Sequence, residues 1–308
     1  VRVVGRTVAE ACNRAIESVY SNGEEARRDV GSWVYGVRER KTVICHEVHG
    51  MVIEIENPVM RWHSRVNAPM MVESLDYLLG LNPGYVSEMW KFYNIWRNVD
   101  GRFPYTYGER ISECIGQVVQ KLKENPTTRH AVLPIYRPQD ILVEYQPCNV
   151  DIAFLPVNDR LDCLVHCRSQ DALRGLFLDT FAYSLLHEVV ANEVGMKIGK
   201  YIAMENNIHI YGHDLDKIDR LKAVDFSDNG NVLVMSKPFS VERDMIRRLL
   251  DMIMDNEEEK FKGAGGSGAL SPFWREYLYV IASEKFTDYS LLGEMNSVAK
   301  KVIEWKLK

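Results

Sequence analysis

The chain predicts an α/β fold, on three observations. Apolar residues recur at helical spacing over residues 8–20, 111–122, 180–194 and 240–254. Runs rich in β-branched and aromatic residues, at 42–55, 200–211 and 232–239, alternate with those helices. Between them, residues 146–179 (QPCNVDIAFLPVNDRLDCLVHCRSQDALRGLFLD) read as a strand, a turn at Asn158-Asp159 and a returning strand, followed by a Gly-containing loop and a helix.

Taken in order, the first helix sets Val8, Ala11, Cys12, Ala15, Ile16 and Val19 on one side and stops at Ser21-Asn22-Gly23. Positive charge then gathers at Arg27, Arg28, Arg38, Arg40 and Lys41, an arrangement a solvated surface explains as well as a binding site does. Strands around Gly50 end at Asn57-Pro58. MMVESLDYLL, 70–79, is a short helix whose apolar run is broken by Glu73 and Asp76, and Gly80 closes it. An aromatic helical stretch runs to Trp96, and GRFPYTYGERI, 101–111, reads as a substrate-facing loop. The helix beginning at Ile111 ends at Asn125-Pro126, and Arg129-His130 lead into the strand-like AVLPIY. KGAGGSGAL, 262–270, reads as a glycine-rich linker to a divergent tail, 271–308, within one domain spanning 1–308.

At 308 residues, with 46% hydrophobic and 26% charged content, the chain can bury a substantial core. A net charge of -5 argues against a nucleic-acid-coating surface but leaves room for a local cationic pocket. The six cysteines form no CxxC pair, which favours free thiols in a reducing compartment. The N-terminal stretch turns polar before a sorting signal develops, and no run reaches the roughly 20 apolar residues of a membrane span. A cytoplasmic protein without membrane or nucleic-acid partners is expected. GxxxxGK[ST], GxGxxG and HExxH motifs are missing, and the carboxylates at 214–219 and 257–259 match no metal-ligand pattern, so no metal is expected.

The central stretch holds the parts of a reactive site. Cys148, between Pro147 and Asn149, is either a nucleophile activated by a nearby arginine or a small buried hydrophobe. Cys163 and Cys167 lie in an apolar strand and read as core. Arg168 with Ser169 offers a guanidinium fork and a hydroxyl to phosphate oxygens, though an ordinary salt bridge would also place an arginine there. Asp179, amid Leu178, Thr180 and Phe181, is either a helix cap or a ligand contact. His209 and Tyr211, two apart on a strand, share a face that a sugar hydroxyl would suit. These parts point to an enzyme that uses a cysteine on an anionic substrate.

QPCN, CRSQD, NPTTRH, YTYGERI and NNIHIYGHD occur in an order and spacing that resemble the thymidylate synthase superfamily, especially its deoxycytidylate 5-hydroxymethylase branch. The resemblance runs from about residue 40 to about 215 and is strongest over 107–211. It implies a large mixed sheet with surrounding helices that dimerises through the sheet face. It makes Cys148 the nucleophile toward pyrimidine C6, Glu73 the organiser of water and protons, and Arg168 and Ser169 phosphate ligands. Arg40 takes the place of an N-terminal phosphate arginine, and Arg129 with His130 would reach the partner subunit's nucleotide in a homodimer. Tyr107 is matched to an active-site tyrosine, and His209 with Tyr211 to the pair holding the 3′-hydroxyl. Tyr93, Trp96, Asp171, Gly175 and Glu73 would meet 5,10-methylenetetrahydrofolate.

Asp179 stands where uracil-using relatives carry asparagine. An ionised carboxylate accepts from a cytosine 4-amino group and opposes uracil O4. The C-terminal VIEWKLK and Tyr93 depart from the synthase pattern in a way that favours capture of water over hydride. The expectation is therefore hydroxymethylation of dCMP. Its rivals are a CMP hydroxymethylase, a synthase making dTMP, and a retired family member binding nucleotide or RNA.

Overall fold

The computed structural model describes residues 1–30, 41–81, 83–89, 103–143, 146–227, 230–265 and 270–308. The chain opens with strand β1 (Arg2–Gly5), helix α1 (Val8–Asn22), and strands β2 (Glu24–Val30) and β3 (Lys41–Ile55). Three helices follow, α2 (Ala68–Leu79), α3 (Pro83–Met89) and α4 (Tyr107–Glu124). Next come β4 (Val132–Pro134), the hairpin β5 (Asn149–Val157) and β6 (Arg160–Cys167), and the two-residue β7 (Gln170–Asp171). Helix α5 (Gly175–Val194) leads to β8 (Lys197–Tyr211). The C-terminal third is helical: α6 (Ile218–Leu221), α7 (Phe239–Met254), α8 (Glu258–Gly265), α9 (Pro272–Phe286) and α10 (Ala299–Lys306).

The strands form one mixed sheet in the order β1-β3-β8-β6-β5-β4, with β2 beside β3 and β7 beside β8. β1 with β3 and β6 with β8 run parallel; β3 with β8 and β5 with β6 run antiparallel. The large mixed sheet with surrounding helices is thus the architecture. Its centre is β8, flanked by β3 and β6, and helix α5 packs on it with Phe177, Phe181, Leu185 and Val189 buried. Gly50 takes φ +66 midway along β3, a left-handed conformation that suits glycine in so long a strand.

Local chemistry sets the helix ends that frame the site. Thr7 caps α1, Asn67 caps α2 and Thr106 caps α4, each accepting a backbone N–H from the helix's first turn. Glu73 and Asp76, which interrupt the apolar pattern of α2, are both 3% exposed, so the interruption marks buried polar groups rather than a solvated face. Asp76 accepts from Leu81 N at 2.7 Å. A Cβ at Gly108 would sit 2.1 Å from its carboxylate, so the second residue of α4 has to be glycine.

Four sequence readings are revised. The loop expected over 101–111 gives way to helix from Tyr107 onward, because Thr106 supplies the cap. Helix α5 starts at Gly175, five residues before the apolar pattern suggests, which places Asp179 inside the helix and makes Arg174 its N-cap. The capping alternative for Asp179 is thereby removed. The strand expected over 232–239 does not form: Met235 gives its N–H to Glu188 and its carbonyl to the Asn192 amide, both on α5, instead of to a sheet neighbour, and Phe239 begins α7. Strand β2 is too charged to announce itself, yet it pairs with β3 from Glu24↔Glu47 to Val30↔Lys41 as a solvated edge.

Residues 262–265 of the glycine-rich stretch belong to α8, and 266–269 lie outside the described residues. The segment beyond it returns to the core, with Phe273, Trp274 and Tyr277 of α9 at most 2% exposed. No helix among the described residues is long and apolar enough to cross a membrane. None of the described His, Cys, Asp and Glu residues cluster in a way that could hold a metal ion.

Candidate active site

Cys148 lies immediately before β5, where the hairpin's two strands end side by side. Asn149 faces Cys167 in register, and Arg168 N donates to Cys148 O at 2.8 Å, extending the pairing one step past the strands. The Arg168 guanidinium is held on the same segment. Its Nε donates to Pro147 O at 2.8 Å and one terminal nitrogen donates to Gln146 O at 2.9 Å, and that nitrogen lies 4.0 Å from the Cys148 sulfur. From the other side, Tyr107 Oη accepts the Cys148 backbone N–H at 2.9 Å.

Burial pushes the Cys148 thiol up to about 11; Arg168 pulls it down, while Asp179, Glu205 and Asp171 push it further up. The arginine acts in the direction the sequence suggests, but desolvation outweighs it. Cys163 and Cys167 are buried, in keeping with their reading as core.

Asp179 is held in place by its neighbours. Asn149 Nδ2 donates to its Oδ2 at 3.3 Å, and the Gln170 amide on β7 is near enough to favour the carboxylate. Burial still raises the carboxyl to about 6, against both amides. An acid shifted this far exchanges between a carboxylate that only accepts and a carboxylic acid that offers one donor and one acceptor. Asn149 thus has a task here, as a donor to the Asp179 carboxyl.

The far end of β8 carries a second polar group. Asp171 and His209 are register partners, and the His209 ring stands edge-on to Tyr211 at 4.9 Å. His209 Nδ1 contacts Asn207 Oδ1 at 2.9 Å, and Asn207 Nδ2 donates to Glu47 Oε2 at 2.9 Å. Glu47 in turn takes two hydrogen bonds from Arg28, at 2.8 and 2.5 Å, which hold its carboxyl down at about 2. Burial lowers His209, favouring a neutral ring. Of this relay, Arg28 stood out only as surface charge, and Glu47 carries no sequence signal beyond its place in a strand.

The remaining expected residues divide. Ser169 is half-buried next to Arg168, and Glu73 is buried on α2, near enough to raise the Tyr183 hydroxyl. Asp171 Oδ1 accepts from Leu173 N at 2.9 Å and Arg174 N at 3.0 Å, closing the turn into α5. Gly175 follows, and a Cβ there would meet Gln170 Nε2 at 3.2 Å. Arg129 and His130 are exposed on the turn before β4, and among the described residues nothing ties them to Cys148. Arg40, Tyr93 and Trp96 lie outside the described residues.

The Tyr107 hydroxyl anchors the Cys148 backbone, which gives a direct test. Tyr107→Phe leaves the Cys148 N–H without this acceptor and should lower stability by about 1–3 kcal/mol. Urea denaturation measures it. An unchanged midpoint would mean that the hydrogen bond does not hold the segment.

Residues 81–224 match the thymidylate synthase family model. The match spans just under half of the chain and is a likeness to that family. A thymidylate synthase of Fusobacterium nucleatum is 32% identical over 136 residues, which is 42% of this chain and 50% of that protein. One from Francisella tularensis is 26% identical over 179 residues, 50% of this chain and 65% of that protein. The chain therefore spans between half and just under two thirds of the length of these curated relatives. The thermostable thymidylate synthase A of Bacillus subtilis shares the fold at a TM-score of 0.59 and 18% identity, over 70% of this chain and 84% of that one.

The hydroxymethylase expectation is overturned by these matches. Family model and relatives alike are thymidylate synthases, so the assignments of a hydroxymethyltransferase and of dCMP or CMP as substrate are withdrawn. The physical error is identifiable. The cytosine argument took Asp179 as a fixed carboxylate, whereas burial brings its protonated form within reach near neutral pH. In that form it presents a donor and an acceptor, the same pair an asparagine amide presents to uracil N3–H and O4.

Proposed function

We propose that the chain carries out the thymidylate synthase reaction, adding a one-carbon unit to C5 of dUMP to give dTMP. The observation that carries this reading is the grouping of Cys148, Arg168 and the Asn149–Asp179 pair at one end of the hairpin. In this reading Arg168 and Ser169 hold the phosphate, and His209 with Tyr211 holds the sugar hydroxyl. Asp179, as the acid, donates to O4 and accepts from N3–H.

The Cys148 sulfur forms a bond to C6 and the C5–C6 electron pair shifts toward O4, leaving C5 nucleophilic. Arg168 favours the thiolate that starts the step, and the Asp179 proton stabilises the charge arriving at O4. Glu73, buried beside this region, would position water and protons.

Methylenetetrahydrofolate, when bound, supplies the one-carbon unit and the reducing equivalents. Part of its expected cradle fits: Gly175 opens α5 without a side chain where one would crowd Gln170, next to the fixed Asp171. Asp171, Gly175 and Glu73 would line it, together with Tyr93 and Trp96. Arg129 and His130, exposed on the chain alone, would complete the nucleotide site of a second copy in a homodimer.

The test is incubation of the protein with dUMP and methylenetetrahydrofolate, followed by mass analysis of the nucleotide. A product bearing one added methyl group is expected. Unaltered dUMP, from protein that still binds the nucleotide, would refute the assigned reaction.

A further inference from the structure

A carboxyl group that the proposed chemistry does not use lies two strands from the nucleophile. Glu205, in the middle of β8, is 4% exposed. It faces Cys167 in the parallel pairing with β6 and Met51 in the antiparallel pairing with β3. Cys167 in turn faces Asn149, the residue after Cys148. Register partners point to one side of a sheet, so Asn149, Cys167 and Glu205 make a polar row across three central strands. Apolar residues would ordinarily fill such a row.

The row is wired at both ends. Asn149 donates to Asp179, and the Cys167 thiol reaches Gln170 Oε1 at 3.2 Å and Ser169 O at 3.3 Å as well as neighbouring the Glu205 carboxyl. Glu205 Oε2 itself is buried without a hydrogen-bond partner among the described residues. A carboxylate so placed is costly, and the uncharged acid is the form that fits. Burial and the nearby Asp179 accordingly raise Glu205 to about 8. The titratable groups around it are Cys12 from α1, Cys167 from β6, Asp179 from α5, Tyr201 on its own strand, and Cys148. No basic side chain acts on it among these groups. Arg168 is the cation that acts on Cys148.

We propose that Glu205 is a positioning residue for the nucleophile: protonated, it lets the Cys148 thiolate form, and ionised, it holds Cys148 as the thiol. Two strand spacings, roughly 10 Å, separate Glu205 from Asn149, the residue next to Cys148, and a full charge acts strongly over such a distance in the protein interior. The inference deepens the assigned role of Cys148 but needs no turnover to be tested.

The experiment measures alkylation of Cys148 by iodoacetamide as a function of pH, with the modified cysteine identified by mass mapping. At about pH 6.5 Glu205→Gln and the native protein should react at equal rates, because the native carboxyl is already neutral. Between about pH 8 and 9 the native rate should climb less steeply as Glu205 ionises, and above that Glu205→Gln should run about tenfold faster. Glu205→Met, which also lacks the charge, should behave like Glu205→Gln; Glu205→Asp, which keeps it, should follow the native curve. Far-ultraviolet circular dichroism confirms that each variant is folded. Equal rates for the native protein and both neutral variants across the range would overturn the proposal. So would an acceleration of the same size at both ends, which marks loosened packing. None of these outcomes depends on whether dUMP is the substrate.

Discussion

Cys148→Ser abolishes product formation from dUMP, by at least about 10⁴-fold, the scale of losing a nucleophile that works as part of a unit. A hydroxyl at this position is far less acidic than the thiol, and the same burial that pushes Cys148 up to about 11 would disfavour an alkoxide still more. The variant should nevertheless bind dUMP with little change. Arg168 stays tied to the carbonyls of Gln146 and Pro147, and Asn149 stays on Asp179. Calorimetric titration with dUMP, alongside a single-turnover assay, separates the two effects. Residual turnover above a tenth of the native rate would remove Cys148 from the role of nucleophile. Loss of nucleotide binding together with turnover would indicate instead a collapsed site.

The parts of this molecule that could be read from the sequence are those with a local cause. The hairpin announces itself through two β-rich runs around Asn158-Asp159, and Asn158 takes φ 58 in the turn. Helices α1, α4 and α7 show their buried stripes in the spacing of their apolar residues. Cys148, Arg168 and Asp179 could be singled out because each is chemically out of keeping with its immediate neighbours. Glu205 could not. In KYIAMENNIHIY it looks like the edge of a polar patch, and only the strand's alternation separates buried Glu205 from exposed Asn206. Whether the patch breaks the strand or rides on it is decided by β3 and β6 on either side. Glu47 and Arg28 likewise become a pair only when β2 folds back on β3. The start of α5 was hidden for a different reason. Gly175 and the apolar Leu176 to Leu178 carry no cap signal, and the turn is closed by Asp171 from outside the helix.

In the proposed reaction the choice of base turns on the protonation of Asp179, a property absent from the linear sequence, and the expected result is a pH-dependent one. A carboxyl raised to about 6 is neutral below that pH and ionised above it. The neutral acid matches uracil and the carboxylate does not, so the apparent kcat/KM for dUMP should lose a factor approaching ten for each pH unit above about 6 through this group alone. Formation of the Cys148 thiolate runs the other way, becoming easier as pH rises, and would partly conceal the loss. Asp179→Asn separates them. Its amide presents the donor and acceptor at every pH, keeps the contact with Asn149 through its oxygen, and leaves Cys148 to titrate. The ratio of variant to native kcat/KM therefore cancels the part of the thiol titration common to both proteins, and the release of Cys148 from the Asp179 charge adds to the rise. The ratio should be close to one near pH 5 to 6 and climb to about 100 by about pH 8. Because kcat/KM reports the free protein, this rise follows the Asp179 carboxyl as it stands before nucleotide binds. A ratio that stays flat would show that Asp179 does not read the base by its protonation state. Any pH dependence left in the native enzyme would then belong to Cys148 and Glu205.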